Sequence, residues 1–116
     1  MAIDQKYIDK FINVTLKAAL SSFYLVGKKD KLAADKAAVD SMRNELNQLD
    51  VNGQIVIGEG ELDEAPMLHI GEKIGTMNGP DIDIAVDPLE GTNFAAYNMP
   101  GALSVIAIAE KNNLFK

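Results

Sequence analysis

The sequence has 116 residues, no cysteine, and 11 Lys plus Arg against 17 Asp plus Glu, a net charge of −6. That charge repels nucleic-acid phosphates, so DNA and RNA are not expected partners, and the missing cysteines remove disulfides and thiolate metal sites. The length suits one domain near the lower end of what an enzyme needs. Charges interrupt every apolar run short of the roughly 18 residues of a membrane span, and Met1 to Tyr7 lacks the basic-then-apolar order of a secretory leader.

From Asp4 to Val26 the apolar residues Tyr7, Ile8, Phe11, Val14, Leu16, Ala18, Ala19, Phe23 and Val26 recur at three- and four-residue steps. This spacing predicts one long amphipathic helix, capped by Asp4 and ended by Gly27. A turn over Gly27 to Asp30 leads to a second helix from about Leu32 to Asn47. It carries Ala34, Ala38, Met42 and Leu46 on one stripe and Asp35, Val39 and Arg43 on the next. After a turn at Asp50 to Gly53, Gln54 to Ile57 is a short β-branched run that reads as a buried strand. Gly58 to Pro66 then sets Glu59, Glu61, Asp63 and Glu64 between glycines and a proline, too polar for a core, so it is a loop or strand end. Asp81 to Val86 alternates at period two and brings Asp87 to a strand end where Pro88 stops the ladder. Ala102 to Ala109 is a further strand, Asn112 and Asn113 turn the chain, and Leu114 to Lys116 begin another strand. Tyr24, Phe94, Tyr97 and the methionines Met42, Met67, Met77 and Met99 read as packing residues.

Two strand ends followed by acidic loops suit hard cations, because Mg²⁺ and Mn²⁺ prefer oxygen ligands. With one His and no Cys, zinc is a poor candidate. The negative chain also repels a bare anionic substrate, so an enzyme working on phosphates here needs cations to reverse the local field. In Asp87-Pro88-Leu89-Glu90-Gly91-Thr92, Asp87 and Glu90 point toward one place across a Pro-stiffened turn, and Gly91 lets the backbone approach a ligand. Thr92 adds a hydroxyl for a phosphate or a water, and a helix starting there would turn free N–H groups toward an anion. Each residue also has a plainer reading. Acidic clusters are commonly solvated loops, Asp35 suits a helix start through the dipole, Lys31 suits a surface, and His69 suits a half-buried polar position after Pro66.

Gly58-Glu59-Gly60-Glu61-Leu62-Asp63-Glu64-Ala65-Pro66-Met67-Leu68 together with Ile84-Ala85-Val86-Asp87-Pro88-Leu89-Glu90-Gly91-Thr92 resembles the class II fructose-1,6-bisphosphatase family. That family belongs to the lithium-sensitive phosphatase superfamily, which includes the inositol monophosphatases. The likeness continues upstream through Asp30-Lys31, Ala34-Asp35, Ala37-Ala38-Val39 and Met42-Arg43. It implies an α/β fold, the layered sugar-phosphatase sandwich, with two helices followed by strands. Residues 1–116 would be the amino-terminal part of a phosphatase domain, truncated on the carboxyl-terminal side, with an open edge at the Ala102 to Ala109 strand.

The implied activity is hydrolysis of fructose 1,6-bisphosphate to fructose 6-phosphate and phosphate, a step of gluconeogenesis in the cytoplasm, through in-line attack by a metal-activated water. Carried over by position, Asp35 and Glu59 would serve a first Mn²⁺ or Mg²⁺ and Asp87 and Glu90 a second. Glu90, Gly91 and Thr92 would contact the substrate phosphate, Asp63 would activate the water, and Lys31 would offset phosphate charge. Asn93 departs from the family pattern, where Arg is frequent. A homo-oligomer is compatible with this reading, and acceptance of sedoheptulose 1,7-bisphosphate stays open. Two rivals remain. One is a non-enzymatic fragment or a metal-binding or docking module that needs a complementary chain; the other is an inositol- or nucleotide-type phosphatase of the same superfamily.

Overall fold

In the computed structural model residues 3–60 and 67–114 are described. Asp4 accepts a hydrogen bond from the Lys6 amide and opens a single 3₁₀ turn, Gln5–Tyr7, which runs into α1, Ile8–Phe23. The expected helix thus closes earlier than Gly27. The Leu25 and Val26 amides bond back to the Ser22 and Phe23 carbonyls, and Gly27 turns the chain with φ 77°. α2 is Lys31–Asn47, capped by Asp30, whose side chain accepts from the Ala33 amide at 3.0 Å. Capping by an aspartate at this position satisfies one of the free amides of the first turn.

The sheet contains β1 (Asn52–Ile57), β2 (Lys73–Ile74), β3 (Asp81–Glu90) and β4 (Leu103–Glu110), in the order β2-β1-β3-β4. β1 and β3 are parallel, and the outer pairings are antiparallel. Between β3 and β4 lies a short helix, α3, Thr92–Ala96. β2 has no counterpart in the sequence reading, since two residues are too few for a periodic pattern. β3 is longer than expected, because Pro88 does not end it. Asp87 still pairs with Val105 and Glu90 with Leu103, and the register shifts between them. A proline lacks the amide a ladder needs, so it is accommodated where the pairing is already irregular.

The core lies between the two long helices and the sheet. Phe11, Val14 and Ala18 of α1 meet Ala34, Ala38, Met42 and Leu46 of α2, and both sets meet Ile55, Ile82, Ile84 and Val86 of the strands. The α2 stripe is the one the sequence predicts. On α1 the buried set is narrower: Ile8, Leu16 and Phe23, expected on the stripe, are exposed. Tyr24, Phe94, Tyr97, Met77 and Met99, expected to pack, are also exposed, Tyr24 at 75%. The Tyr7 hydroxyl donates to the Asp50 carbonyl at 3.0 Å, which fastens the start of α1 to the turn before β1. In the described sheet β4 is an end strand, as expected from the sequence. Leu114 is a bend, and the strand expected over Leu114 to Lys116 otherwise lies outside the described residues. No helix among the described residues is long and apolar enough to cross a membrane.

Candidate functional site

The parallel pairing of β1 with β3 decides where the acidic residues meet. Ile57 is the partner of Ala85, so the residues leaving the end of β1 run beside the end of β3. This brings Glu59 alongside Asp87. α2 contributes Asp35 from its second turn, and the start of that helix is fixed by the loop before it. There the Gly27 amide donates to the Ala95 carbonyl at 3.0 Å and the Lys29 amide to the Ala96 carbonyl at 2.8 Å. Through α3, the opening of α2 is therefore tied to the same corner of the fold as Glu90, Gly91 and Thr92.

Asp35, Glu59 and Asp87 arrive from three elements, and the electrostatics record their proximity. Burial, then Asp35 and Asp87, push the Glu59 carboxyl up to about 7. Burial and the Asp87 charge raise Asp35. Burial and the Glu90 charge raise Asp87, partly opposed by a hydrogen bond from the Leu89 backbone. Mutual repulsion among half-buried carboxylates favours their protonated forms, and such groups are enriched at functional sites. Among the described residues, no ion pair supplies a Lys or Arg to any of the four.

The donor chemistry fits a hard divalent cation, being all carboxylate oxygen with unrelieved negative charge. The side chains are not drawn into a coordination shell, however: no three His, Asp or Glu side chains among the described residues are close enough to hold an ion together.

Glu90 is exposed at the last position of β3, and Thr92 is the first residue of α3, as expected if a helix starts there. Gly91 between them has φ 79°, a left-handed conformation that favours glycine. A Cβ at Gly91 would come within 2.8 Å of the Phe94 ring. Lys31 is the first residue of α2 and exposed, and among the described residues no ion pair joins it to a carboxylate. Asp63, with Glu61 and Glu64, lies outside the described residues.

One group near the site has no signature in the sequence. Glu72 is buried and holds Arg43 of α2 at 2.8 Å and the Leu68 amide at 2.8 Å. His69, expected to be half-buried and polar, is so, with Nε2 3.7 Å from Glu72. Nothing in the surroundings of Glu72 in the sequence marks it off from a surface glutamate. A cavity of about 780 Å³ lies at the other end of β3 beside Asp81 and Tyr7, and none of the expected site residues lines it.

The chain is an α/β protein in which the candidate residues Glu59 and Asp87 lie toward the carboxyl ends of the parallel strands β1 and β3. Residues 5–116 match the family of bacterial, glpX-encoded fructose-1,6-bisphosphatases, and the chain belongs to that family. It is 50% identical, over 97% of its length, to a protein of Synechococcus sp. (strain CC9902) named D-fructose 1,6-bisphosphatase class 2/sedoheptulose 1,7-bisphosphatase. A protein of the same name from Thermosynechococcus vestitus is 52% identical over 91% of the chain. The fructose-1,6-bisphosphatase 1 class 2 of Escherichia coli (strain K12) is 54% identical over 88%. The chain spans 34%, 34% and 30% of the lengths of these three relatives.

Proposed function

We propose that this chain supplies the cation and phosphate side of a class II fructose-1,6-bisphosphatase site, acting in the cytoplasm on the 1-phosphate of fructose 1,6-bisphosphate. The observation that carries the reading is the set of half-buried carboxylates Asp35, Glu59 and Asp87 where β1, β3 and α2 meet: burial raises the pKa of each, and a neighbouring carboxylate adds to it, Asp87 at Asp35, Asp35 and Asp87 at Glu59, and Glu90 at Asp87. Family membership supports it, and the names of the relatives indicate the substrate.

Mn²⁺ or Mg²⁺, when bound, neutralises phosphate charge and acidifies a water. Asp35 and Glu59 would hold one ion, and Asp87 and Glu90 a second. Before an ion enters, the Glu59 carboxyl, pushed up to about 7, holds a proton in part of the molecules at neutral pH, so uptake releases protons. Glu90 faces the same end of the sheet, and Gly91 and Thr92 bring an unobstructed backbone and a hydroxyl to the phosphate. Asp63 is assigned the proton from the attacking water, which gives in-line displacement with no phosphorylated protein group. Lys31 is assigned to the phosphate charge.

The specific test is calorimetric titration of the 116-residue chain with Mn²⁺. Heat of binding that Asp87→Ala and Glu90→Ala remove is expected. Equal heats for wild type and both variants would sink the assignment. Because the relatives are about three times as long, the chain alone with Mn²⁺ is expected to release no phosphate from fructose 1,6-bisphosphate above a no-protein control. Turnover abolished by Asp87→Ala would instead show that these residues complete a site.

A further inference from the structure

Leu68 lies against Gly58 and Glu59 just past the end of β1. Leu68 is buried yet has φ 56°, a left-handed conformation that costs a side-chain-bearing residue about 1 kcal/mol or more. Both of its backbone groups are held. Its carbonyl accepts from the Glu59 amide at 3.0 Å, and its amide donates to Glu72 Oε1 at 2.8 Å. The other Glu72 oxygen accepts from Arg43 Nε at 2.8 Å. The carbonyl of Leu68 occupies the space that a Cβ on Gly58 would take, so only glycine allows this approach one residue before Glu59.

Arg43 belongs to the same rigid helix as Asp35, about 12 Å further along at 1.5 Å per residue. A continuous path thus runs from α2 through Arg43, Glu72 and Leu68 to the Glu59 backbone, and the helix at its origin carries Asp35. A partly buried ion pair is weak ground for a stability role, since desolvation of the buried Glu72 offsets the attraction. It is better suited to fixing one geometry.

We propose that Glu72 and Arg43 are positioning residues that hold Glu59 in register with Asp35 and so raise the affinity of this corner for a divalent cation. The proposal rests on the cation reading given above and adds the residues that enforce it. Groups that orient the ligands of a metal typically change affinity about 10- to 100-fold when removed.

The test uses Mn²⁺ and the 116-residue chain, with two readouts: the Mn²⁺ dissociation constant by calorimetry and the hydrogen-exchange rate of the Glu59 amide. Glu72→Ala is expected to weaken Mn²⁺ binding on the order of 10-fold and to speed exchange at Glu59 while amides in the middle of β3 keep their rates. Glu72→Gln retains an acceptor for the Leu68 amide and should recover most of the affinity. A merely structural role would lower the melting temperature in both variants without moving the dissociation constant measured well below it. Should Glu72→Ala not fold, Arg43→Met replaces it and is expected to weaken binding in the same direction. Unchanged Mn²⁺ affinity in these variants, with binding still lost in Asp87→Ala, overturns the proposal. If the wild type takes up no Mn²⁺, the cation reading fails separately and the exchange rate decides the positioning: faster exchange at Glu59 supports it, an unchanged rate overturns it.

Discussion

Replacing Glu59 by Gln should make the cation-free protein more stable above neutral pH, although it removes a residue of the candidate site. The ordinary carboxyl value is 4.5, and in the folded chain Glu59 is pushed up to about 7 by burial and by Asp35 and Asp87. Between those values the folded state binds a proton that the unfolded state has released. Stability from this group is therefore complete below 4.5 and is lost as pH rises through about 7. In a wholly dry environment the loss would be about 3 kcal/mol; Glu59 is only half-buried, and solvent screening reduces this to about 1–2 kcal/mol. Asp35 and Asp87 are shifted in the same direction, so their deprotonation acts on stability with the same sign. The assay is urea unfolding in the presence of a chelator at a series of pH values from 5 to 8. The wild-type midpoint should fall across the series, that of Glu59→Gln should fall less, and the two should converge toward pH 5. Adding Mn²⁺ should restore the wild type at pH 8 and restore Glu59→Gln less, because binding to the folded state alone adds stability. Parallel profiles for the two proteins would refute the electrostatic account of this corner.

Three further substitutions separate packing from charge. Met42→Ala removes a fully buried side chain between α2 and the sheet and should cost about 2–5 kcal/mol, read as a lower urea midpoint with an unchanged slope. Gly58→Ala forces a Cβ onto the Leu68 carbonyl and within 2.7 Å of the Ile55 side chain; about 1–3 kcal/mol should be lost, with faster hydrogen exchange at Glu59. Lys36→Ala breaks an exposed pair with Asp40 one helical turn away and should change the thermal midpoint little, a loss below about 0.5 kcal/mol.

The elements that the sequence discloses are those with a sustained pattern. α2 is legible because its buried positions, Ala34, Ala38, Met42 and Leu46, follow a strict four-residue step and Asp30 caps it. α1 is legible as a helix but not in its buried face. Ile8, Leu16 and Phe23 are apolar and helically spaced, yet they lie outside the narrow strip that α2 and the sheet cover. Pro88 misleads in a different way. Its missing amide argues for a strand end, whereas the register shift between Asp87 and Glu90 absorbs it and the strand continues to Glu90. The acidic residues stand out in the sequence through their flanking Gly and Pro, but their convergence depends on the parallel pairing of β1 with β3, which no local pattern encodes. Glu72 is hidden for the same reason, because its partners Arg43 and Leu68 meet it only through the tertiary fold.

The carboxylate corner works against the fold that carries it. Bringing Asp35, Glu59 and Asp87 into one half-buried place disfavours their charged forms, so each of them, once deprotonated, subtracts from stability rather than adding to it. The restraints around the corner are therefore what keeps it from splaying. The Gly27 and Lys29 amides bind α3, and Arg43 reaches Glu59 through Glu72 and Leu68. None of these bonds uses a candidate cation-binding carboxylate side chain as donor or acceptor. Among the described residues no ion pair occupies Asp35, Glu59, Asp87 or Glu90, and the strain of holding them together is borne by a core and a set of backbone contacts that lie outside the site.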